Sequence, residues 1–407
     1  MANQIWGHRP ELSQSEALPQ LKTDSFLFLI LFLITGCQKP VEYKTPDLDA
    51  IIVSDLHYTC DPNVIASIVP AMPYSQEVTQ AVINAVIEEH PDVFIITGDN
   101  TNSGALQDME SLAGRLEQIK DAGIPIIMTT GNHDFNHGLK DQYQELFFPL
   151  LTIDEADPHS LSYYTDIGNV RILAMDDSTY TDGSSGTFSK ETMTWLKKAL
   201  NRAEQEGLRV LFLSHHNVLA GKKDAHNETY RITNEELEPL LRKEGVLLCI
   251  SGHLHSQSIL EENGLYEVIQ GMPLYDGHPI GRLRIREENI EYRCEPIDFE
   301  RYGGIELAQA MRETDRKSAE IMQDIFRDIL EKQGIRGKEE EGILNLLGTI
   351  LSSYAAGTLR QEAEALQNDP YYDAMTAALA KENYGPWIES LINDPPRDGR
   401  YLWIENE

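Results

Sequence analysis

The sequence predicts a mixed α/β protein followed by an all-helical C-terminal module. Three observations carry this. Short apolar runs alternate with stretches of helical periodicity through the first half of the region 49–295. That region ends in a run of β-type stretches with tight-turn signals. Past residue 303 the apolar residues recur at spacings of three and four.

The elements follow in order. "AIIV" (50–53) is a short buried strand. Residues 75–90 place Val78, Val82, Ala85 and Val86 at helical spacing, with Ser75 as N-cap. "DVFIIT" (92–97) is a strand, 106–122 a helix ended by Gly123, "PIIMTT" (125–130) a strand and 139–150 a helix. "SLSYYTDI" and "VRILAMDD" straddle Gly168-Asn169 as a hairpin. A helix over 189–206, the strand "RVLFLS" (209–214), a helix over 234–243 and the strand "LLCIS" follow. Asn263-Gly264 supplies the positive φ angles of a second hairpin, and "IGRLRIREENIEYRCEPI" adds two strands. Residues 303–395 read as three to five helices, with Ile321, Ile325 and Ile329 among the spaced apolar positions. The expected domains are thus a catalytic region over 49–300 and a helical module over 303–407 that docks onto it.

With 407 residues, 41% hydrophobic and 25% charged, the chain is long enough for one large globular domain plus a module. Its net charge of -32 repels polyphosphate, so nucleic acid is not an expected partner. An anionic substrate would need a local positive centre. The four cysteines, Cys37, Cys60, Cys249 and Cys294, form no CxxC pair and no disulfide framework.

"FLFLILFLI" (26–34) is too short to span a bilayer but fits the apolar region of a signal peptide. It precedes Thr35-Gly36-Cys37, which resembles the lipobox of bacterial lipoproteins. That resemblance implies cleavage after residue 36, lipidation of Cys37, a tether over 37–48, and a lipid-anchored, extracytoplasmic protein of the bacterial cell envelope. The acidic residues Glu11, Glu16 and Asp24 depart from the usual basic leader.

Five strands deliver polar residues at their carboxyl ends: Asp55-Leu56-His57, Gly98-Asp99-Asn100, Gly131-Asn132-His133-Asp134, His215-His216-Asn217 and Gly252-His253-Leu254-His255. In a sheet of this type the loops at that edge converge on the ligand site. Each stretch alone has a bland explanation as a turn, a cap or a solvated histidine. Five in series do not.

The series D-x-H, G-D-x, G-N-H-D, H and G-H-x-H resembles the calcineurin-like metallophosphoesterases, over about residues 49–295. The resemblance implies two mixed β-sheets sandwiched between helices and a centre for two divalent or trivalent ions of Mn, Fe or Zn. It implies that Asp55, His57 and His255 bind one ion, that Asn132, His215 and His253 bind the other, and that Asp99 bridges both. His133 would face the substrate as general acid, with Asp134 orienting it. Hydrolysis would proceed by a metal-bridging hydroxide attacking a small-molecule phosphoester, with diesters preferred. Asn100 and His216 are candidates for the substrate pocket, a solvated loop histidine being the competing reading of His216. Tyr58 either stacks on substrate or packs, and His137, His226 and His278 read as surface histidines. The alternative function is a non-catalytic envelope lipoprotein using this fold as a binding scaffold, which the complete residue series disfavours. Oligomeric state is not encoded in these motifs.

Overall fold

Apolar runs without polar alternation form strands buried on both faces. In β1 (Leu48–Val53), Leu48, Ala50 and Ile52 face one core while Ile51 and Val53 face another. β1 lies parallel to β2 (Val93–Thr97), and β2 parallel to β3 (Ile126–Thr129). β11 (Pro279–Ile285) runs antiparallel on the other side of β1, followed by β12 (Asn289–Pro296) and β13 (Tyr401–Glu405). The six-stranded sheet therefore reads β13-β12-β11-β1-β2-β3.

The second sheet has seven strands. They are β4 (Glu155–Ala156), β5 (Tyr163–Ile167), β6 (Val170–Ala174), β7 (Arg209–Leu213), β8 (Leu248–Ser251), β10 (Leu265–Ile269) and β9 (Ser258–Glu262), in that spatial order. β6, β7, β8 and β10 are parallel. Both predicted hairpins form, with Asn263 (φ 53°) and Gly264 (φ 84°) at the second turn. The two sheets face each other across a core that includes Ile52, Ile95, Ile172, Leu213, Ile250 and Tyr292.

Helices cover the outer faces. α1 (Ser75–Glu89), α2 (Leu106–Asp121) and α3 (Lys140–Phe147) bury Val82, Leu112 and Phe147 against the six-stranded sheet. α4 (Lys190–Glu206) and α5 (Leu237–Lys243) bury Leu196 and Leu241 against the other. Ser189 caps α4 by accepting from Thr192 N, and Gly207 (φ 67°) ends it. Ser75 does not cap α1: it is the first helical residue, and its hydroxyl accepts from Thr59 N.

The chain then forms α6 (Phe299–Tyr302), α7 (Ile305–Lys332), α8 (Lys338–Ala355), α9 (Leu359–Gln367), α10 (Tyr372–Leu379) and α11 (Gly385–Asn393). α7 to α11 share a core around Leu330, Leu347, Met375 and Ile392, while Leu307, Ala308 and Met311 of α7 join the core under α1. The stretch 303–407 is not all helical. β13 buries Leu402 and Ile404 and pairs with β12, which would otherwise leave its backbone groups bare.

This computed structural model describes residues 47–405 apart from 65–68, 179, 181–182, 184, 221–229, 381–384 and 394–396. The expected leader, Cys37, most of the tether and His226 lie outside the described residues. No helix among those described is long and apolar enough to cross a membrane.

Candidate metal centre

The carboxyl ends of β1, β2, β3, β7 and β8 bring their loops together. Five residues there adopt left-handed backbone conformations: Asp55 (φ 54°), His57 (φ 41°), Asp99 (φ 45°), His253 (φ 69°) and His255 (φ 57°). For side chains of this kind each is a strained position, of order 1–3 kcal/mol, held by its surroundings. The holding bonds are visible. Asp55 N donates to Gly98 O (3.1 Å), His57 N to Asp99 O (2.9 Å), and Gly252 N to His215 O (3.0 Å). His253 N donates to Asp55 Oδ2 (3.1 Å). The glycine before the final pair is needed for close approach, since a Cβ at Gly252 would fall 1.8 Å from Ser54 Oγ.

Two donor groups result: Asp55, His57, Asp99 and His255 in one, Asp99, His215 and His253 in the other. Asp99 belongs to both. Its Oδ1 accepts from His133 N (2.8 Å), while its Oδ2 lies 3.2 Å from His215 Nε2 and 3.6 Å from His57 Nε2. His57 Nε2 and His255 Nε2 are 3.1 Å apart, and His255 Nε2 is 3.4 Å from Asp55 Oδ1.

The donors fit cations. His215 Nδ1 lies 2.9 Å from Thr97 O, so its proton belongs there and a lone pair on Nε2 meets the Asp99 carboxylate. Acceptors facing each other at that distance require a cation or an extra proton between them. Asp99 Oδ2, Asn132 Oδ1, His215 Nε2 and His253 Nε2 are all buried without a hydrogen-bond partner. Carboxylate, amide oxygen and imidazole are suitable donors for first-row transition metals, and no cysteine is among them.

Burial would depress the His215 imidazole, but Asp99 prevails and lifts it to about 10. Burial would raise Asp99, but His215 pulls it well below the usual carboxylate range. Burial likewise works against the charge on Asp55, yet His255 holds it at about 2. Burial drives His57 down to about 3 and His253 well below the ordinary histidine value.

A model of the calcineurin-like phosphoesterase family matches residues 49–257, more than half of the chain. The chain belongs to that family. It is 28% identical over 211 residues to a probable glycerophosphodiester phosphodiesterase of Arcobacter nitrofigilis, covering 52% of this chain and 72% of that one. It is 25% identical over 223 residues to a probable cyclic nucleotide phosphodiesterase of Moraxella catarrhalis, covering 53% and 74%. A dimetal phosphatase structure from Danio rerio superimposes with a TM-score of 0.52 at 14% identity, over 62% of this chain and 96% of that one, a likeness of fold. This phosphoesterase is a metal-dependent hydrolase of phosphoric esters, built around a centre for two ions.

Within the phosphoesterase, His133 stands at the half-buried edge of the centre, its ring 4.7 Å from that of His57. Asp134 does not orient it. His133 Nδ1 is held by Asn102 O (2.9 Å), whereas the fully buried Asp134 accepts from Gly131 N, Asn100 Nδ2, Thr101 N and Thr101 Oγ1, tying the β2 and β3 loops together. Burial, with Asp99 nearby, lifts the Asp134 carboxyl to about 6. Asn100 is also buried; its amide nitrogen donates to Thr129 O and Asp134 Oδ2, while its Oδ1 has no hydrogen-bond partner. His216 is not solvated: it is 1% exposed, with Nδ1 2.9 Å from Asp177 Oδ1, its ring 4.3 Å from that of His253 and its Nε2 without a hydrogen-bond partner beside the centre. Tyr58 packs, its hydroxyl accepting from Arg115 Nε (2.8 Å). His137 is exposed, but His278 is buried between Pro273 O and Asp315 of α7.

Sequence reasoning missed Asp177 and Glu267. Asp177 Oδ2 accepts from both His215 N (3.1 Å) and His216 N (2.8 Å). The signal was present, because "VRILAMDD" is a further strand ending in carboxylates at the same edge. Glu267 accepts from Val218 N, Leu219 N and Ser251 Oγ, and so braces the loop after β7 from beneath. Nothing local marks it, since it sits in mid-strand.

Proposed function

We propose that this chain hydrolyses phosphodiesters at the outer face of a bacterial membrane, with His133 handing a proton to the departing oxygen. One observation carries the catalytic part: two groups of donor atoms converge on a shared Asp99, with Asp99 Oδ2, Asn132 Oδ1, His215 Nε2 and His253 Nε2 unpartnered, beside the half-buried imidazole of His133. Asp55, His57 and His255 would hold one ion, Asn132, His215 and His253 the other, and Asp99 both. When bound, two such ions supply Lewis-acid charge to phosphoryl oxygens and an acidified water. The remaining work falls to the chain. The Asn102 carbonyl fixes the His133 ring through Nδ1, which leaves Nε2 as the nitrogen to serve a leaving group. Water adds to phosphorus and gives up one proton to solvent, the P–O bond to one ester group breaks, that oxygen takes the proton from His133 Nε2, and His133 regains a proton from solvent. The preference for diesters is supported by the names of the two bacterial relatives. The envelope location is supported by the apolar run at 26–34 ahead of Cys37.

The test is metal analysis of protein purified without chelator, followed by turnover of bis-p-nitrophenyl phosphate and p-nitrophenyl phosphate. Two ions per chain with faster diester turnover are expected. Two ions with no hydrolysis of either ester would overturn the catalytic reading and leave a scaffold. The location is tested by fractionation of cells producing the full chain. Membrane association abolished by Cys37→Ser is expected, and a soluble full-length protein contradicts it.

A further inference from the structure

We propose that Gln257 is a positioning residue that holds His255 in the centre by fastening its loop to the C-terminal region. The inference rests on the two-ion reading above. His253 and His255 share one loop and both carry strained backbones, but they are secured differently. His253 is tied inside the catalytic core, through His253 N to Asp55 and Gly252 N to His215 O. Among the described residues, no backbone hydrogen bond from His255 N ties it to a neighbouring strand-end loop of the cage. Its carbonyl accepts from Met272 N (3.2 Å), and two residues on comes Gln257.

Gln257 is 1% exposed and its polar groups are committed. Its backbone N donates to Ala355 O at the end of α8 (2.8 Å). Nε2 donates to Gly399 O (2.7 Å) and to Tyr292 Oη (3.2 Å), and Oε1 accepts from Gly271 N (3.0 Å). Two glycines of the C-terminal region close over its carbonyl oxygen. A Cβ at Gly357 would lie 2.9 Å from that oxygen and one at Gly399 only 2.7 Å, and Gly399 N donates to Gly357 O (3.0 Å). A buried amide with donors and acceptor satisfied fixes its own backbone firmly. The family match ends at Gln257, so the partners that fasten it come from chain beyond the matched segment.

The test uses the full chain and cobalt(II), titrated by visible absorption and by calorimetry. Wild type is expected to take two ions. In Gln257→Ala, and independently in Gly399→Ala, one of the two affinities should fall by about 10–100-fold while the other stays within about twofold. Gly399→Ala carries the same test should Gln257→Ala fail to fold. Unchanged affinities at both sites in a folded variant overturn the proposal. So does an equal loss at both sites that tracks a lowered melting temperature, since that is general destabilisation. If wild type itself takes no cobalt, the two-ion reading fails before the question of Gln257 arises.

Discussion

The Nε2 atoms of His57 and His255 face each other at 3.1 Å, although one follows β1 and the other follows β8. Two imidazole lone pairs at that distance repel unless a proton or a cation lies between or beside them, and an ion in the donor group that holds both histidines would use both lone pairs. Ions should therefore stabilise the fold. A ligand that binds only the native state at about 100 times its Kd adds about 2.7 kcal/mol. Thermal melts should rise with added Mn(II) or Zn(II) and fall with chelator. Melts indifferent to both would contradict a metal centre.

Asp99 is the residue common to both donor groups. Asp99→Ala should lower affinity at both ion sites, by at least about 100-fold, taking outer-shell losses as a lower bound. Turnover should fall with it. A variant that keeps one tight site would show that Asp99 serves only one ion.

His133→Ala should leave metal content unchanged and slow turnover by about 10²–10⁴-fold. The loss should be smaller for p-nitrophenyl esters, whose leaving group departs without a proton, than for alkyl esters. Equal losses on both substrates would remove His133 from proton transfer.

Glu267 offers a pH prediction away from the ions. Burial outweighs its three donors and raises its carboxyl from 4.5 to about 7. Between those values the unfolded chain has released the proton while the folded chain keeps it, so this group's stabilisation declines as pH rises. The contribution is whole below about 4.5 and gone above about 7, a span of about 3 kcal/mol. The difference in stability between wild type and Glu267→Gln, measured by denaturant titration from pH 4.5 to 7.5, should show that slope. A flat difference contradicts the shift.

Much of the cage was legible because its residues end strands. An apolar run that stops at Asp or His marks the edge of a sheet, and the order of the runs says which edges meet. Asp99, His133 and His255 announced themselves in this way. Asp134 misled because adjacency to His133 in sequence suggested contact, whereas a turn beginning at His133 sends the two side chains to different partners. Glu267 and Gln257 were illegible: each works through backbone groups brought close by distant segments. β13 was missed although "YLWIE" alternates outward Tyr401 and Trp403 with inward Leu402 and Ile404. A five-residue alternation after a long helical tract is a weak local signal.

β13 has a practical bearing on how this enzyme can be divided. The family match stops at residue 257, yet the sheet carrying Asp55 and Asp99 continues through β11, β12 and β13. A fragment cut between β12 and residue 400 would present the flank of β12 as an open seam, inviting copies to zip together. Boundaries drawn from the matched segment alone would strip β11 and β12 as well and open the same kind of seam along β1, beside the residues that hold the ions.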